Sequence, residues 1–283
     1  MIAAFKGAGG RFLRHPGAVA GLSFMVLLTL LALFAPHLFP YDAFAMVADP
    51  FLWPGADPRF PLGTDSFGRD ILVGLIYGAR VSLAVGLAAA LISTVIGIAT
   101  GLFAGYFGGW VDHVLMRTTE LFQTMPTMIF VVTIVAILQP SVTSIVLAIG
   151  LTSWPQTARL IRAETLRIRE SEFIAAAFTL GLGTRRILGR HVLVNAISPA
   201  IVTSTILAGT AILSEAALAF LGLGDPNVMS WGSMIGAGRQ VLRTAWYIAA
   251  IPGVAIVLTV IAITAIGNGI NLMLNPTADD CPH

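Results

Sequence analysis

The sequence contains little charge. Only 11% of its 283 residues are Asp, Glu, Lys or Arg, whereas 57% are hydrophobic; roughly 25% charged residues are usual in soluble globular domains. Sixteen basic and fourteen acidic residues leave a net charge of +2 at pH 7, without the basic excess that marks nucleic-acid-binding proteins. Together with a mean hydropathy of +0.88, this composition indicates an integral membrane protein.

Cysteine and lysine are almost absent. Cys281 is the one cysteine, which excludes an intrachain disulfide and a multi-cysteine metal site. Lys6 is the one lysine, and its setting, FKGAG, does not match GxxxxGK[ST], the loop whose backbone amides and lysine hold nucleotide phosphates. The chain therefore supplies no Walker site, so energy for any transport must come from a partner or from a gradient.

Charge-free windows locate the predicted membrane spans, because about 20 apolar residues cross the hydrocarbon core and a charge at its centre is costly. The window 121–158 would be about 57 Å long as one helix, so it must contain two spans. The residues Gln139-Pro140-Ser141 supply the turn between them. The sequence predicts an all-α protein with six spans, at about 17–35, 82–104, 122–138, 143–160, 199–220 and 248–272.

The basic residues are distributed unevenly between the predicted loops. With the N-terminus inside, the cytoplasmic segments contain eleven of them and the outer segments five, which favours an N-in and C-in topology. The eleven are Lys6, Arg11, Arg14, Arg117, Arg159, Arg162, Arg167, Arg169, Arg185, Arg186 and Arg190. The five are Arg59, Arg69, Arg80, Arg239 and Arg243.

The segment 36–80 contains six prolines and is predicted to be an extended, turn-rich outer loop. Its last part, LGTDSFGRDILVGLIYGAR, has apolar residues at helical spacing, which predicts an interfacial helix before the second span. Asp65, Arg69 and Asp70 in this part are candidate contacts for an external protein. The alternatives are local pairing within the loop and simple solvation.

The segment 172–181, EFIAAAFTLG, is almost chargeless and lies between two clusters of arginine. Ser171 is a suitable N-cap, Glu172 complements the helix dipole, and Gly181 can end a helix. A helix of about nine residues, roughly 14 Å long, is too short to cross a bilayer and is marginal alone in water. It needs a surface to pack on, either the spans of its own chain or a groove of a partner.

The residues after this segment are predicted to begin another helix, with Thr184 as its N-cap. Arg185 and Arg186 follow at once. The positive end of the helix dipole lies at this N-terminus, so it does not stabilise the two cations. We therefore expect both arginines to face lipid phosphate or a protein partner.

A few residues in the predicted spans are candidates for specific roles. Glu215 lies late in span five and is a candidate for a structural or gating contact, or for substrate binding. Pro126 is predicted to bend span three near a pore, and Asn268 to hydrogen-bond across helices. His113 and His191 are isolated, so no metal site is predicted.

Residues 175–191 resemble the EAA loop of bacterial ABC-importer permeases, in which E-A-A is followed after three residues by glycine and after nine more by an apolar residue or histidine. The matching residues are Ala176, Ala177, Gly181 and His191. Two positions depart from the pattern: Ala175 stands at the acidic position, and Val194 replaces the proline usual near the exit.

Further segments are similar to the C-type permease subunit of dipeptide, oligopeptide and nickel importers. They cover most of residues 60–275 in the expected order. The segments are LGTDSFGRDILVGLIYGARVSL (62–83), DHVLMRTTELFQTMP (112–126), RHVLVNAISP (190–199), SEAALAFLGLGDPNVMSWGSMI (214–235) and GNGINLMLNP (267–276).

This resemblance implies a type I ABC-importer permease, multi-pass in the bacterial inner membrane, that forms half of a pore. A homologous second permease would complete the pore, two ATPase subunits would bind ATP and magnesium, and an external binding protein would deliver the peptide. The helix 172–181 would couple to an ATPase. The coupling residues so implied are Glu172, Ala175, Ala176, Ala177, Gly181, Arg185, Arg186 and His191.

Three regions and two alternative functions follow from this reading. The regions are 1–80 with the first span and outer loop, 81–275 as the permease domain with its coupling loop at 161–198, and the tail 276–283. Nickel or another small solute is an alternative cargo. A gradient-driven carrier is the alternative from another class, for which Glu215 is the single embedded acid available. An intramembrane protease is disfavoured because GxSxG and HExxH are absent.

Overall fold

A computed structural model describes Phe12 and residues 15–274; the predicted tail 276–283, Lys6 and Cys281 lie outside these residues. Helices dominate the described part of the chain. They are α1 (Pro16–Leu38), α2 (Ile71–Phe107), α3 (Gly109–Thr124), α4 (Thr127–Leu138), α5 (Val142–Arg169), α6 (Glu172–Thr179), α7 (Thr184–Ile187), α8 (Leu193–Phe220), α9 (Trp231–Gly238) and α10 (Tyr247–Leu274), with a π-helical turn at Leu188–Val192 and a 3-10 turn at Arg239–Val241.

Among the described residues, four helices are long and apolar enough to cross a membrane, judged by length and composition. They are Pro16–Leu38, Ile71–Phe107, Thr184–Phe220 and Tyr247–Leu274. The pair α3 and α4 makes a fifth if it is counted as one bent span. Helix α5, which contains the predicted span 143–160, is not among them, because polar residues interrupt its apolar first part and charged residues occupy its last turns. The count of six spans and the N-in topology therefore remain predictions.

The second predicted span begins earlier than expected. Helix α2 has 37 residues, about 55 Å, and it runs without a break through the predicted interfacial helix and the span 82–104. The helix expected to lead into the second span is therefore present and continuous with that span, and its position at a membrane interface stays a prediction. Asp70 caps α2 by accepting from the Leu72 amide at 2.8 Å, and the following residues lack proline until Pro126, so nothing interrupts the helix at residue 80.

The third predicted span, 122–138, is broken rather than straight. Helices α3 and α4 meet at an angle of 87°, with Met125 in extended conformation and Pro126 at the N-cap of α4. Proline disfavours helical backbone in the residue before it and has no amide hydrogen, which explains the break. The predicted bend at Pro126 is confirmed, and α4 alone, at 12 residues, spans only about 18 Å.

The turn predicted at Gln139-Pro140-Ser141 is present. Gln139 has φ of +67°, and Ser141 and Ser144 form a capping box that begins α5. Helix α5 continues past the predicted end at residue 160 to Arg169, so its last turns carry the arginines that precede α6. Pro155 lies inside α5 and does not end the helix.

The predicted fifth span, 199–220, is the C-terminal part of a longer apolar helix, Thr184–Phe220. Thr184 is its first helical residue and Gly183 is the N-cap, so the predicted N-cap is wrong by one residue. The predicted sixth span, 248–272, corresponds to α10. Sequence reasoning missed the short helix α9, which a capping box at Ser230 and Ser233 begins.

Glycines set the contact between α2 and α5. Gly97, Gly101 and Gly105 follow one another at intervals of four on one face of α2, so small residues let the two helices approach closely. A Cβ at Gly101 would lie 2.3 Å from the Ala158 carbonyl oxygen of α5. This contact anchors the helix that leads into the predicted coupling segment.

Candidate functional site

Helix α6 ends in a Schellman motif. Gly181 has φ of +73°, its amide donates to the Phe178 carbonyl at 3.0 Å, and the Leu182 amide donates to the Ala177 carbonyl at 3.2 Å. Glycine adopts this left-handed conformation without steric cost, so the predicted end of the helix at Gly181 is confirmed, while its coupling role stays a prediction. Ser171 occupies the N-cap position, although its hydroxyl donates to the Ile168 carbonyl instead of capping α6.

One face of α6 is packed on the chain itself. Ile174 is 0% exposed and Ala177 is buried. Both belong to a hydrophobic cluster with side chains of α2, α5 and α8. The other buried members are Leu102, Tyr106, Ile161, Ile168, Ile187, Val192, Ala196 and Ala200. Helix α6 is therefore held against the ends of three long helices, and Ala177 contributes to that packing.

The other face of α6 is exposed and apolar, and we call it the α6 patch: Phe173, Ala175, Ala176, Phe178 and Leu180. Leu180 is 78% exposed and Phe178 is 52% exposed, and both alanines are also exposed. Burying a leucine or phenylalanine side chain is worth roughly 1.5–3 kcal/mol. The α6 patch thus has the composition of a surface that gains free energy when another protein covers it.

Charged residues flank the α6 patch in the sequence. Glu172, Arg185, Arg186 and Arg190 are all exposed. Just beyond Arg186, residues 188–192 form a π-helical turn that contains Arg190 and His191; such turns occur often at functional sites. The side-chain amide of Asn195 donates to the His191 carbonyl at 2.5 Å.

An arginine–aspartate pair stabilises the same end of the molecule. Nε and Nη2 of Arg162 on α5 donate to the two carboxylate oxygens of Asp112 on α3, each at 2.5 Å. This bidentate arrangement is among the stronger forms of ion pair. Sequence reasoning missed it, because Asp112 and Arg162 are far apart in the chain and no motif marks them.

In the outer loop, residues 39–70, the predicted contact residues serve the loop itself. Asp65 Oδ1 accepts from the amides of Phe67 and Arg69, and the Arg69 guanidinium lies between the rings of Phe44 and Phe67, 5.1 and 4.7 Å from their centroids. Cation–π contacts of this kind are favourable. These residues therefore shape the loop.

Asp70 is buried at the base of the outer loop. Besides capping α2, it accepts a hydrogen bond from the Tyr41 hydroxyl at 3.0 Å. Partial burial, together with this bond and the nearby Asp70 charge, raises the pKa of Tyr41 above its usual value of 10.0. Asp70 thus links the start of the loop to the start of α2.

The family is identified by comparison with known proteins. Residues 97–279 match the model of the binding-protein-dependent transport system inner membrane component, and residues 5–55 match the N-terminal transmembrane domain of oligopeptide transport permease C. The chain is 40% identical over 271 residues to the di/tripeptide transport system permease protein DppC of Pseudomonas aeruginosa, covering 94% of this chain and 89% of that protein. This chain belongs to that permease family. It is an inner-membrane component of an ABC transport system.

Another relative of the permease is named for a different cargo. The chain is 36% identical to the glutathione transport system permease protein GsiD of Pectobacterium atrosepticum, with 94% of this chain and 89% of that protein covered. A solved structure of the MetNI methionine ABC transporter in an inward-facing conformation matches with a TM-score of 0.60 and 18% identity, over 72% of this chain and 97% of that chain. This likeness shows the type I permease fold expected from the sequence.

Glu215 of the permease is 2% exposed and connects three helices. The Ser82 hydroxyl of α2 donates to its carboxylate at 3.2 Å and accepts from the Trp231 amide of α9 at 3.3 Å. The carboxylate on α8 therefore holds α2 and α9 together. These contacts favour the structural reading of Glu215 over direct substrate binding.

The remaining predicted pore residues of the permease lie apart from Glu215. Pro126 is exposed at the bend between α3 and α4, and Asn268 is exposed on α10. Phe122, just before the bend, packs on Phe130 after it and on Trp154 of α5, with centroid distances of 5.7 and 5.3 Å. The bend is thus supported by aromatic contacts on both sides.

Proposed function

We propose that this permease forms half of the translocation pore of an ATP-driven importer of dipeptides or oligopeptides, and that helix α6 couples it to an ATPase subunit. The single observation that carries the coupling role is the α6 patch, an exposed apolar surface on a helix whose opposite face is fully packed.

The proposed class of cargo is inferred from the names of the relatives. Peptide-transport permeases match nearly the whole chain at 36–40% identity, and dipeptides, tripeptides and glutathione share a peptide backbone. Nickel and other small solutes remain the alternative cargo. A gradient-driven carrier receives no support from Glu215, because its contacts with Ser82 tie it into the packing between helices.

Force reaches the spans through the buried face of α6. Ile174 and Ala177 lie in one cluster with Ile168 at the end of α5 and Ile187 at the start of the long helix that includes α8. Protein interiors are close-packed, so a displacement of one buried side chain is passed on to the side chains that touch it. A push on the α6 patch is therefore expected to move α5 and α8 together.

The proposed partners follow from the same geometry. Two ATPase subunits with bound ATP and magnesium would each receive one coupling helix, from this permease and from a homologous second permease. Glu172, Arg185, Arg186 and His191 would supply the polar rim around the α6 patch. The binding protein would contact the outer loop, which Asp65, Arg69 and Asp70 hold in shape.

The test introduces a charge into the α6 patch. Leu180→Asp is expected to leave the folded permease intact, since Leu180 is mostly exposed, and to reduce both co-purification of ATPase subunits and peptide uptake by about tenfold or more, because the loss of a central apolar contact often exceeds 1.4 kcal/mol. Leu242→Asp is the matched control, because Leu242 is exposed near the 3-10 turn at the opposite end of the molecule.

Three results would contradict the proposal. Full ATPase association and uptake in Leu180→Asp would remove α6 as the coupling element. Equal losses in Leu242→Asp would show that the effect is not specific to α6. Uptake that continues after ATP depletion but stops when the ion gradient is dissipated would favour the carrier instead.

A further inference from the structure

A surface groove between α1, α2, α8 and α10 has no role in the function proposed above. Its volume is about 590 Å³, and its lining is mostly apolar, with hydroxyl groups of Thr29, Thr94, Ser204 and Thr205. Arg80 is the one charged residue among the lining residues. The groove is therefore an apolar channel with a cation at one end.

The groove runs along a stripe of α2. Arg80, Ala84, Leu87, Leu91 and Thr94 line it at helical spacing, and the distance along the axis from Arg80 to Thr94 is about 21 Å. Leu87 and Leu91 are 71% and 62% exposed. A length of about 21 Å exceeds half of the roughly 30 Å hydrocarbon core, so the groove can hold an extended acyl chain.

Arg80 is unpaired within residues 15–274. It is exposed, and no ion pair or hydrogen bond in that range involves it. The groove also contains Leu33, five residues before α1 ends at Leu38, so Arg80 lies within reach of the membrane interface next to the outer loop. Long arginine side chains extend towards such an interface.

We propose that the groove binds a phospholipid of the leaflet next to the outer loop, with one acyl chain along α2 and the phosphate on Arg80. The guanidinium donates two parallel hydrogen bonds to phosphate oxygens, which satisfies the charge that the chain leaves unpaired. The apolar wall below Arg80 accepts the acyl chain. This inference does not depend on the cargo or on coupling through α6.

The test uses a photoactivatable lipid. The full-length permease, purified with the subunits that accompany it, is placed in bilayer nanodiscs that contain phosphatidylglycerol with a diazirine on its acyl chain, and labelled peptides are mapped by mass spectrometry. We expect label on Leu87 and Leu91 that falls about tenfold in Arg80→Ala, since a hydrogen-bonded charge contributes at least that factor. Label on exposed Ile137 of α4 reports bulk lipid and should not change.

Matched variants separate the two parts of the site. Arg243→Ala removes another exposed arginine and should leave the groove label unchanged. Ala84→Trp fills the groove from an exposed position of α2 and should abolish the label while Arg80 is intact; it also tests the proposal if Arg80→Ala does not fold. Diacylglycerol with the same diazirine lacks the phosphate and should label the groove weakly.

Several outcomes would overturn the proposal. These are equal labelling in wild type and Arg80→Ala, equal labelling by diacylglycerol and phosphatidylglycerol, or an unlabelled wild-type groove that is crosslinked to a second protein chain. The last outcome would assign the groove to a protein partner.

Discussion

Helix α6 and the outer loop were both predicted to contact partners, and they use their residues in opposite ways. The outer loop uses its charged residues internally: Asp65 closes a turn, Arg69 stacks between two rings and Asp70 caps α2. Helix α6 buries one apolar side and leaves its other apolar side exposed. The charged residues of the loop thus have partners within the chain, whereas the exposed apolar residues of α6 are left uncovered, and an uncovered apolar surface favours contact with another molecule.

The largest expected effect separates the two faces of α6. Ile174→Glu places a charge at a position with 0% exposure, where an unpaired buried charge costs on the order of 3–5 kcal/mol. We expect most of the protein to aggregate on detergent extraction, as measured by size-exclusion chromatography and thermal unfolding. Ala175→Glu puts the same charge on the neighbouring, exposed residue and should leave both readouts unchanged. Similar behaviour of the two variants would contradict the assignment of faces.

A smaller effect is expected in the outer loop. Asp70→Ala removes the cap of α2 and the acceptor for Tyr41, which should cost about 1–2 kcal/mol. The measurement is the thermal unfolding temperature of the purified permease, together with protease cleavage within residues 39–70. Asp65→Ala is the control for the turn alone, because the Asp65 carboxylate accepts from the Phe67 and Arg69 amides of the loop. An unchanged stability of Asp70→Ala would show that the loop and α2 are not linked in this way.

The smallest effect is a dependence on pH. Burial and the bond to Asp70 raise the pKa of Tyr41 in the folded protein above 10.0, so the folded state retains the proton more strongly than the unfolded chain. The resulting stability is fully present below about pH 10 and is lost as the pH rises towards the folded-state pKa. Tyr41→Phe should flatten this part of the curve of unfolding temperature against pH. An equally steep decline in Tyr41→Phe would assign it to other groups.

Much of the architecture was predictable from local signals. The charge-free windows gave usable positions for α1, α8 and α10, and the turn at Gln139-Pro140-Ser141 and the bend at Pro126 follow from the properties of proline. The end of α6 at Gly181 was also predictable, because glycine adopts φ of +73° at little cost. The spacing of Gly97, Gly101 and Gly105 offered a further signal, for a close helix contact, that was overlooked.

Other features depended on residues distant in the sequence. The pair of Asp112 and Arg162, the network of Ser82, Glu215 and Trp231, and the groove below Arg80 are formed by helices that meet only in the folded chain. The span predicted at 82–104 is part of a longer helix that begins at Ile71, because the predicted boundary followed the end of the charged residues and not the start of the helix.

The sequence alone determined that this is an apolar, multi-span protein without a Walker A motif, because length, charge and motif are local properties of the chain. It also determined that residues 172–181 form a short helix that needs a surface to pack on. Which side of that helix is covered was decided by the tertiary structure. Ile174 and Phe173 are both apolar, and only the positions of α5 and α8 determine that the first is buried and the second remains available to a partner.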